Sequence, residues 1–348
     1  MELKDLKLPG MDARRWAKIS GTGIYLPDKK ITNEELGRRM NYDVEEYLED
    51  MGIGLRYQAA PDESTSDMAA EAAREALKDA RIAPTDLDLI ILATDTPDYV
   101  SPPTSAVLQY KLDATNAGSF DINAACTDET IAMAIASQYI ALDPGIDHVL
   151  VAGAYGMTKW LDWSDYSTSS SKVLGMLFSD GGGAIIVSRS NEPGYLASDM
   201  TTVGEYWDAY GIYLGTARPP NQEMIENKRH YLRFHENEHH VPPDFNQRRW
   251  PKLINSTLNK VDAEVSDLDM VLFNQVDRSA AEETMDRLGL ELSHTHFVMD
   301  KFGYSGSASV LMALNDALKT GKIESGDLVA FCTSGAGFVL SVSLFRWV

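Results

Sequence analysis

Cysteine is scarce in this chain. Of 348 residues only Cys126 and Cys332 are cysteines, about 200 positions apart and with no C-x-x-C spacing, which excludes a disulfide framework and a zinc knuckle. The scarcity fits a reducing compartment. Long apolar runs are missing too. The opening MELKDLKLPGMDARRW has no apolar core of a signal peptide, and no later stretch approaches the ~18 apolar residues of a spanning helix. A soluble, cytoplasmic protein without a membrane partner is expected. Basic charge is in deficit: 31 Lys and Arg against 52 Asp and Glu leave a formal charge of −21. That mean field repels phosphate backbones, so nucleic acid is excluded as a partner. The sequence also lacks G-x-G-x-x-G ahead of a helix; Phe178-Ser179-Asp180-Gly181-Gly182-Gly183-Ala184 leads into a strand, so no dinucleotide site is expected. His230, His235, His239 and His240 cluster in a polar segment with no zinc spacing, and no metal is expected.

What is present is an α/β pattern, short apolar runs alternating with longer amphipathic ones. Strands are predicted at 17–25, 87–93, 119–122, 149–154 and 183–188, with helices at 67–80, 104–112 and 126–142. A second series follows: a helix at 250–260, a strand at 270–273, a helix at 280–288, a strand at 296–299, a helix at 305–318, and strands at 328–332 and 338–345. Leu89 and Val271, Cys126 and Gly306, and Val149 and Val329 stand about 180 positions apart in one order, which predicts a structural duplication. The chain divides on this basis into an N-terminal half, 1–188, a cap or loop region, 189–249, rich in Pro and aromatics, and a C-terminal half, 250–348.

Chemistry concentrates at Asp121-Ile122-Asn123-Ala124-Ala125-Cys126-Thr127-Asp128-Glu129, where a strand runs through small residues into a helix. A thiol at that helix terminus is expected to be held as thiolate by unpaired N–H groups, whereas Cys332, inside LVAFC, reads as a core residue. Thr333-Ser334-Gly335-Ala336-Gly337-Phe338 joins two apolar strands and can aim a backbone N–H at an oxyanion.

The blocks GTGIYLP (21–27), GIGLRYQAAPDE (52–63), DINAAC (121–126), FSDGGGA (178–184), FNQ (273–275), FGYSGSAS (302–309) and SGAGF (334–338) resemble the β-ketoacyl-ACP synthase III family of the thiolase fold, over nearly the whole chain. The resemblance implies two pseudo-symmetric halves in a layered α-β-α-β-α core and a homodimer. It also implies that Cys126 attacks an acyl-CoA or acyl carrier protein thioester, with the amides of Cys126 and Ala336 as the oxyanion hole. No permanently bound cofactor is implied; CoA or phosphopantetheine enters as the substrate's handle.

The chain departs from the family at two catalytic positions. Where the family has His in His-Gln-Ala-Asn, this chain has Asn274, and where it has Asn in Gly-Asn-Thr, this chain has Tyr304. An amide cannot exchange protons near neutral pH, and a tyrosine fills space a malonyl group needs, so malonyl decarboxylation should be impaired. The expected activity is therefore a synthase-III-like acyltransferase that passes the acyl group from Cys126 to another acceptor. The alternatives are a decarboxylating Claisen condensation with malonyl-ACP through replacement residues, or a non-catalytic subunit beside an active relative. The family's adenine-stacking segment is acidic here, Glu46 to Ile53, so Arg248, Arg249, Lys252 and Arg278 stand as the basic patch for a phosphopantetheine or carrier protein. Trp160, Trp163 and Tyr166 are candidate tunnel walls.

Overall fold

The computed structural model describes residues 15–164, 166–167, 169–234 and 241–348. One sheet is built from β1 (Trp16–Tyr25), β2 (Leu89–Ala93), β3 (Gly118–Ile122), β4 (His148–Tyr155) and β5 (Gly181–Ser190), in the order β1-β5-β4-β2-β3. A second holds β6 (Tyr195–Thr202), β7 (Met270–Phe273), β8 (Leu328–Gly335) and β9 (Val339–Arg346), in the order β7-β8-β9-β6. In each sheet the parallel pair (β4 with β2, β8 with β7) is flanked by two antiparallel strands. Thr295 bridges Val271 in parallel, in the place that β3 takes beside β2. The expected duplication is thus present strand by strand.

Helices α3 (Asp128–Leu142) and α6 (Ser309–Lys319) lie between the sheets. Ala132, Met133 and Ala136 of α3 and Val310, Leu311 and Leu314 of α6 share one core with Ile91, Val151 and Ile185 of the first sheet and Leu272, Val329 and Phe331 of the second. Alternate strand residues face outward. Ile90 and Leu92 meet α1 (Thr65–Ala80) and α2 (Thr104–Leu112), while Val271, Phe273 and Cys332 meet α4 (Phe245–Asn259) and α5 (Arg278–Leu288). Period-two strands buried on both faces need this five-layer stack, because either bare face would leave a row of apolar side chains in water. The layered α/β expectation and the core reading of Cys332 agree with it.

Several expected boundaries move. Tyr195–Thr202, placed in the cap, is a strand of the second sheet paired to β9, so the region 189–249 is not a single cap. Its pattern misled because an edge strand buries few of its residues. Helix α4 starts five residues before the expected Trp250 and carries Pro251 inside it, so the C-terminal half begins before residue 250. No strand forms over 296–299; the chain there runs from the Thr295 bridge into a short helix at Met299–Phe302. Helix α3 begins at Asp128, leaving Cys126 in the turn before it.

Candidate active site

The catalytic face lies beyond the carboxyl ends of the parallel strands, where open α/β sheets place their ligands. Asp95 follows β2, Cys126 follows β3, Tyr155 ends β4, Asn274 follows β7, and Ser334 is next to last in β8. Sequence-distant chemistry therefore converges because parallel strands all end on the same side.

Cys126 is buried and follows Ala125, whose φ of 51° lies in the left-handed region. Asn123 Oδ1 accepts from the Ala125 N–H at 3.1 Å, which stabilises that sharp turn. Behind the cysteine, a buried thread of hydroxyls ties the turn to β8. Thr333 donates to Thr130 at 2.9 Å and so accepts from Thr127 at 2.6 Å. Gly335 comes so close that a Cβ there would sit 2.4 Å from the Ala124 carbonyl and 2.9 Å from the Cys126 nitrogen. The turn carrying Ala336 is thus held against the cysteine, and Ala336 and Cys126 line one cavity of about 350 Å³.

The sulfur lies within hydrogen-bonding reach of two hydroxyls, Tyr304 and Tyr155. Tyr304 is fixed by its backbone, its carbonyl accepting from the Ser179 N–H at 2.8 Å, and by stacking on Phe178 at 5.6 Å. Asn274 Nδ2 donates to Tyr304 Oη at 3.2 Å and to the Ser334 carbonyl at 2.9 Å. Both amide protons are thereby committed, so donation from Asn274 to a thioester oxygen is not available in this arrangement. Instead Asn274 occupies a lone pair of Tyr304 and turns its proton toward the sulfur. The Tyr155 ring reaches the site because Gly306 lacks a side chain; a Cβ there would lie 2.4 Å from the ring.

The electrostatics differ from expectation. Burial pushes the Cys126 thiol well above its usual range, and the Asp95, Glu129 and Asp128 carboxylates push it the same way against the Tyr304 hydroxyl. The resting sulfur is a thiol, not the thiolate anticipated from a helix terminus. The physical reason is that the helix opens two residues later and on two fully buried acids. Burial raises Glu129 to about 8 and Asp128 well above the carboxylate range, each beside the other. Burial raises Asp95 to about 7.

The cationic residues selected from sequence do not line this cavity. Arg248 pairs with Asp244, Arg249 lies over Phe245, and Arg278 pairs with Glu282 at 2.7 Å while its backbone N–H meets the Met51 carbonyl. Another basic group stands nearer. Arg218, Arg229 and Arg233 line a cavity of about 700 Å³, and the Tyr213 ring, which also walls the cysteine cavity, lies 5.6 Å from the Arg218 guanidinium and 5.5 Å from that of Arg233. The wall of the cysteine cavity is made by Tyr155, Met157, Phe178, Tyr210, Tyr213 and Leu232, not by Trp160, Trp163 and Tyr166. His230 stacks on Tyr231 at 4.1 Å; His235, His239 and His240 lie outside the described residues.

Sequence reasoning missed Asp95, Tyr155 and Tyr210. A carboxylate two residues past the wholly apolar strand Leu89–Ala93 is a signal that would have found Asp95.

Comparison with known proteins agrees with this architecture. The family model described as 3-oxoacyl-[acyl-carrier-protein] synthase III matches residues 120–204, and that of its C-terminal part matches residues 258–347. The β-ketoacyl-[acyl-carrier-protein] synthase III of Alkalilimnicola ehrlichii is 33% identical over 333 residues, covering 95% of this chain and 99% of the relative. The solved 3-oxoacyl-[acyl-carrier-protein] synthase III of Aquifex aeolicus superposes with a TM-score of 0.82 at 30% identity, covering 95% of this chain and all of that one. A priming β-ketosynthase of a polyketide pathway gives 0.83 at 27% identity, with 99% of both chains covered. With its duplicated layers, its buried cysteine turn and these matches along nearly its full length, the chain belongs to the β-ketoacyl-[acyl-carrier-protein] synthase III family, whose enzymes transfer and condense acyl groups.

Proposed function

We propose that this protein is an acyltransferase in which Cys126 takes an acyl group from a CoA or carrier-protein thioester and passes it to an acceptor without decarboxylating a malonyl unit. The observation that carries the reading is the pairing of Asn274 with Tyr304 at the sulfur. The amide's protons are spent within the protein, and the tyrosine hydroxyl serves the sulfur, so neither is free to hold the enolate that malonyl decarboxylation generates. Acylation needs less. The Cys126 and Ala336 amides meet the tetrahedral oxyanion, and Tyr304 and Tyr155 donate to sulfur as it gains and later loses negative charge. Arg218, Arg229 and Arg233, beyond the Tyr213 wall, suit the phosphate of a pantetheine arm despite the acidic surface.

The open edge of β3 supports pairing of two copies into a homodimer. The test is intact-mass measurement after incubation with a panel of acyl-CoA and acyl carrier protein donors. A single acyl adduct is expected on the wild type and none on Cys126→Ala, in a preparation whose light scattering gives twice the chain mass. No adduct from any donor would remove the proposal, and CO2 released from malonyl-ACP by the pure protein would favour the decarboxylating condensation instead.

A further inference from the structure

Asp95 is a carboxylate without a structural explanation. Its loop is fully tied down by its neighbours: the Thr94 N–H donates to the Ile122 carbonyl at 3.1 Å, Thr94 Oγ1 accepts from the Thr96 N–H at 3.1 Å, and Thr96 Oγ1 accepts from the Gly156 N–H at 2.9 Å. Asp95 takes no part in that network beyond its own backbone N–H, and its Oδ1 is sealed from solvent with no hydrogen-bond partner. Its side chain instead lines the cysteine cavity, in whose wall there is no Lys, Arg or His among the described residues. Sealing one unpaired carboxylate oxygen of this half-buried residue costs stability and contributes no packing, which is the mark of a group kept for chemistry.

Its position relative to sulfur narrows the role. The hydroxyls of Tyr304 and Tyr155 stand beside the Cys126 sulfur, whereas Asp95 acts on the thiol through its charge. Asp95 and Cys126 line the same cavity of about 350 Å³, which gives a second substrate room to reach both. We propose that Asp95 is the general base of the second half-reaction, taking the proton of an uncharged O–H or N–H acceptor as that atom attacks the acyl-Cys126 carbonyl. The proposal rests on the acyl-Cys126 reading above. The new C–O or C–N bond forms as the carbonyl becomes an oxyanion, and the oxyanion collapses with cleavage of the C–S bond. The proton held by Asp95 then passes to the departing thiolate, directly or through solvent, restoring thiol and carboxylate.

The acceptor's charge follows from the surroundings. A carboxylated acceptor would meet the Asp95 carboxylate with no cation among the described residues of the cavity wall to offset it. The wall of Trp207, Tyr210 and Tyr213 favours a flat, apolar molecule.

The test separates the two half-reactions. Acyl-Cys126 is formed with an acyl-CoA, freed of excess donor, and its discharge followed by mass with water, aniline and 4-aminobenzoate as acceptors. Discharge to water and aniline should rise with pH through a midpoint near 7, as Asp95 ionises, with 4-aminobenzoate slower than aniline. Asp95→Asn should still be acylated, and no more slowly than the wild type because losing its charge eases ionisation of Cys126, which also reports an intact fold, yet discharge at least about 100-fold more slowly and lose the pH limb. Wild-type discharge by Asp95→Asn, an equal fall in acylation and discharge, or a wild-type acyl-enzyme inert to water and aniline would overturn the role of Asp95 alone. Faster discharge to 4-aminobenzoate would overturn the acceptor's charge. If the wild type forms no acyl-enzyme, the proposed function itself fails first.

Discussion

At the residue scale, the cysteine works under two opposed influences. Burial and three neighbouring acids disfavour its ionised form, while the Tyr304 hydroxyl favours it. Removing that hydroxyl in Tyr304→Phe should therefore raise the thiol pKa further. Alkylation by iodoacetamide, measured against pH, should shift to higher pH, and acylation should slow roughly 10-fold, the value of one hydrogen bond to a charged group. Asn274→Ala should shift the same curve in the same direction by less, because it only orients the tyrosine. Cys126, Asn274, Tyr304 and Ala336 were all legible in the sequence by their place in recognisable blocks, and the fold brings all four together. What those blocks could not convey was the use made of each group. Whether an amide proton is free or spent depends on which carbonyl lies opposite it, and Ser334 is 60 positions away.

At the scale of elements, central strands were easier to read than edges. The strands Met270–Phe273 and Leu89–Ala93 are buried along their whole length, so their apolar runs announce them. Tyr195–Thr202 buries one residue in eight, and its sequence resembles a loop until β9 is laid beside it. The cysteine turn depends on another such meeting. A methyl group in Gly335→Ala would collide with the backbone of Ala124 and Cys126, neither of which can yield like a side chain. Because that contact positions the Ala336 amide, the variant should lose acylation by at least about 100-fold, the cost of an oxyanion donor. It should also unfold several degrees lower, about the shift that a strain of 1–3 kcal/mol produces. Unchanged acylation by intact mass would show that the turn tolerates displacement.

At the scale of the whole molecule, the buried acids make stability depend on pH in an unusual direction. Glu129 is raised from 4.5 to about 8, and Asp128 is raised as well. The native state therefore binds more protons than the unfolded chain between those limits, and stability falls as pH rises from about 4.5 to 8. Asp67, lowered to about 2 beside Lys111, contributes in the opposite sense: its stabilisation is present above the unfolded carboxylate pKa and is lost as pH falls toward 2. A double variant Asp128→Asn, Glu129→Gln should flatten the decline above pH 4.5 and melt at higher temperature at pH 8, where calorimetry can compare it with wild type. A steeper decline in the variant would show that the pair is ionised and stabilising in the native state.

The sequence by itself determined the layered α/β class, the duplication and the candidate cysteine, since those follow from local periodicity and from short blocks read in order. Only the tertiary structure decided the protonation of Cys126, the engagement of Asn274 with Tyr304, the arrival of Asp95 in the cavity and the distance of Arg248, Arg249 and Arg278 from it. Those properties belong to pairs and to burial. Desolvation and hydrogen-bond partnership arise where strand ends from distant parts of the chain meet, and no single segment carries them.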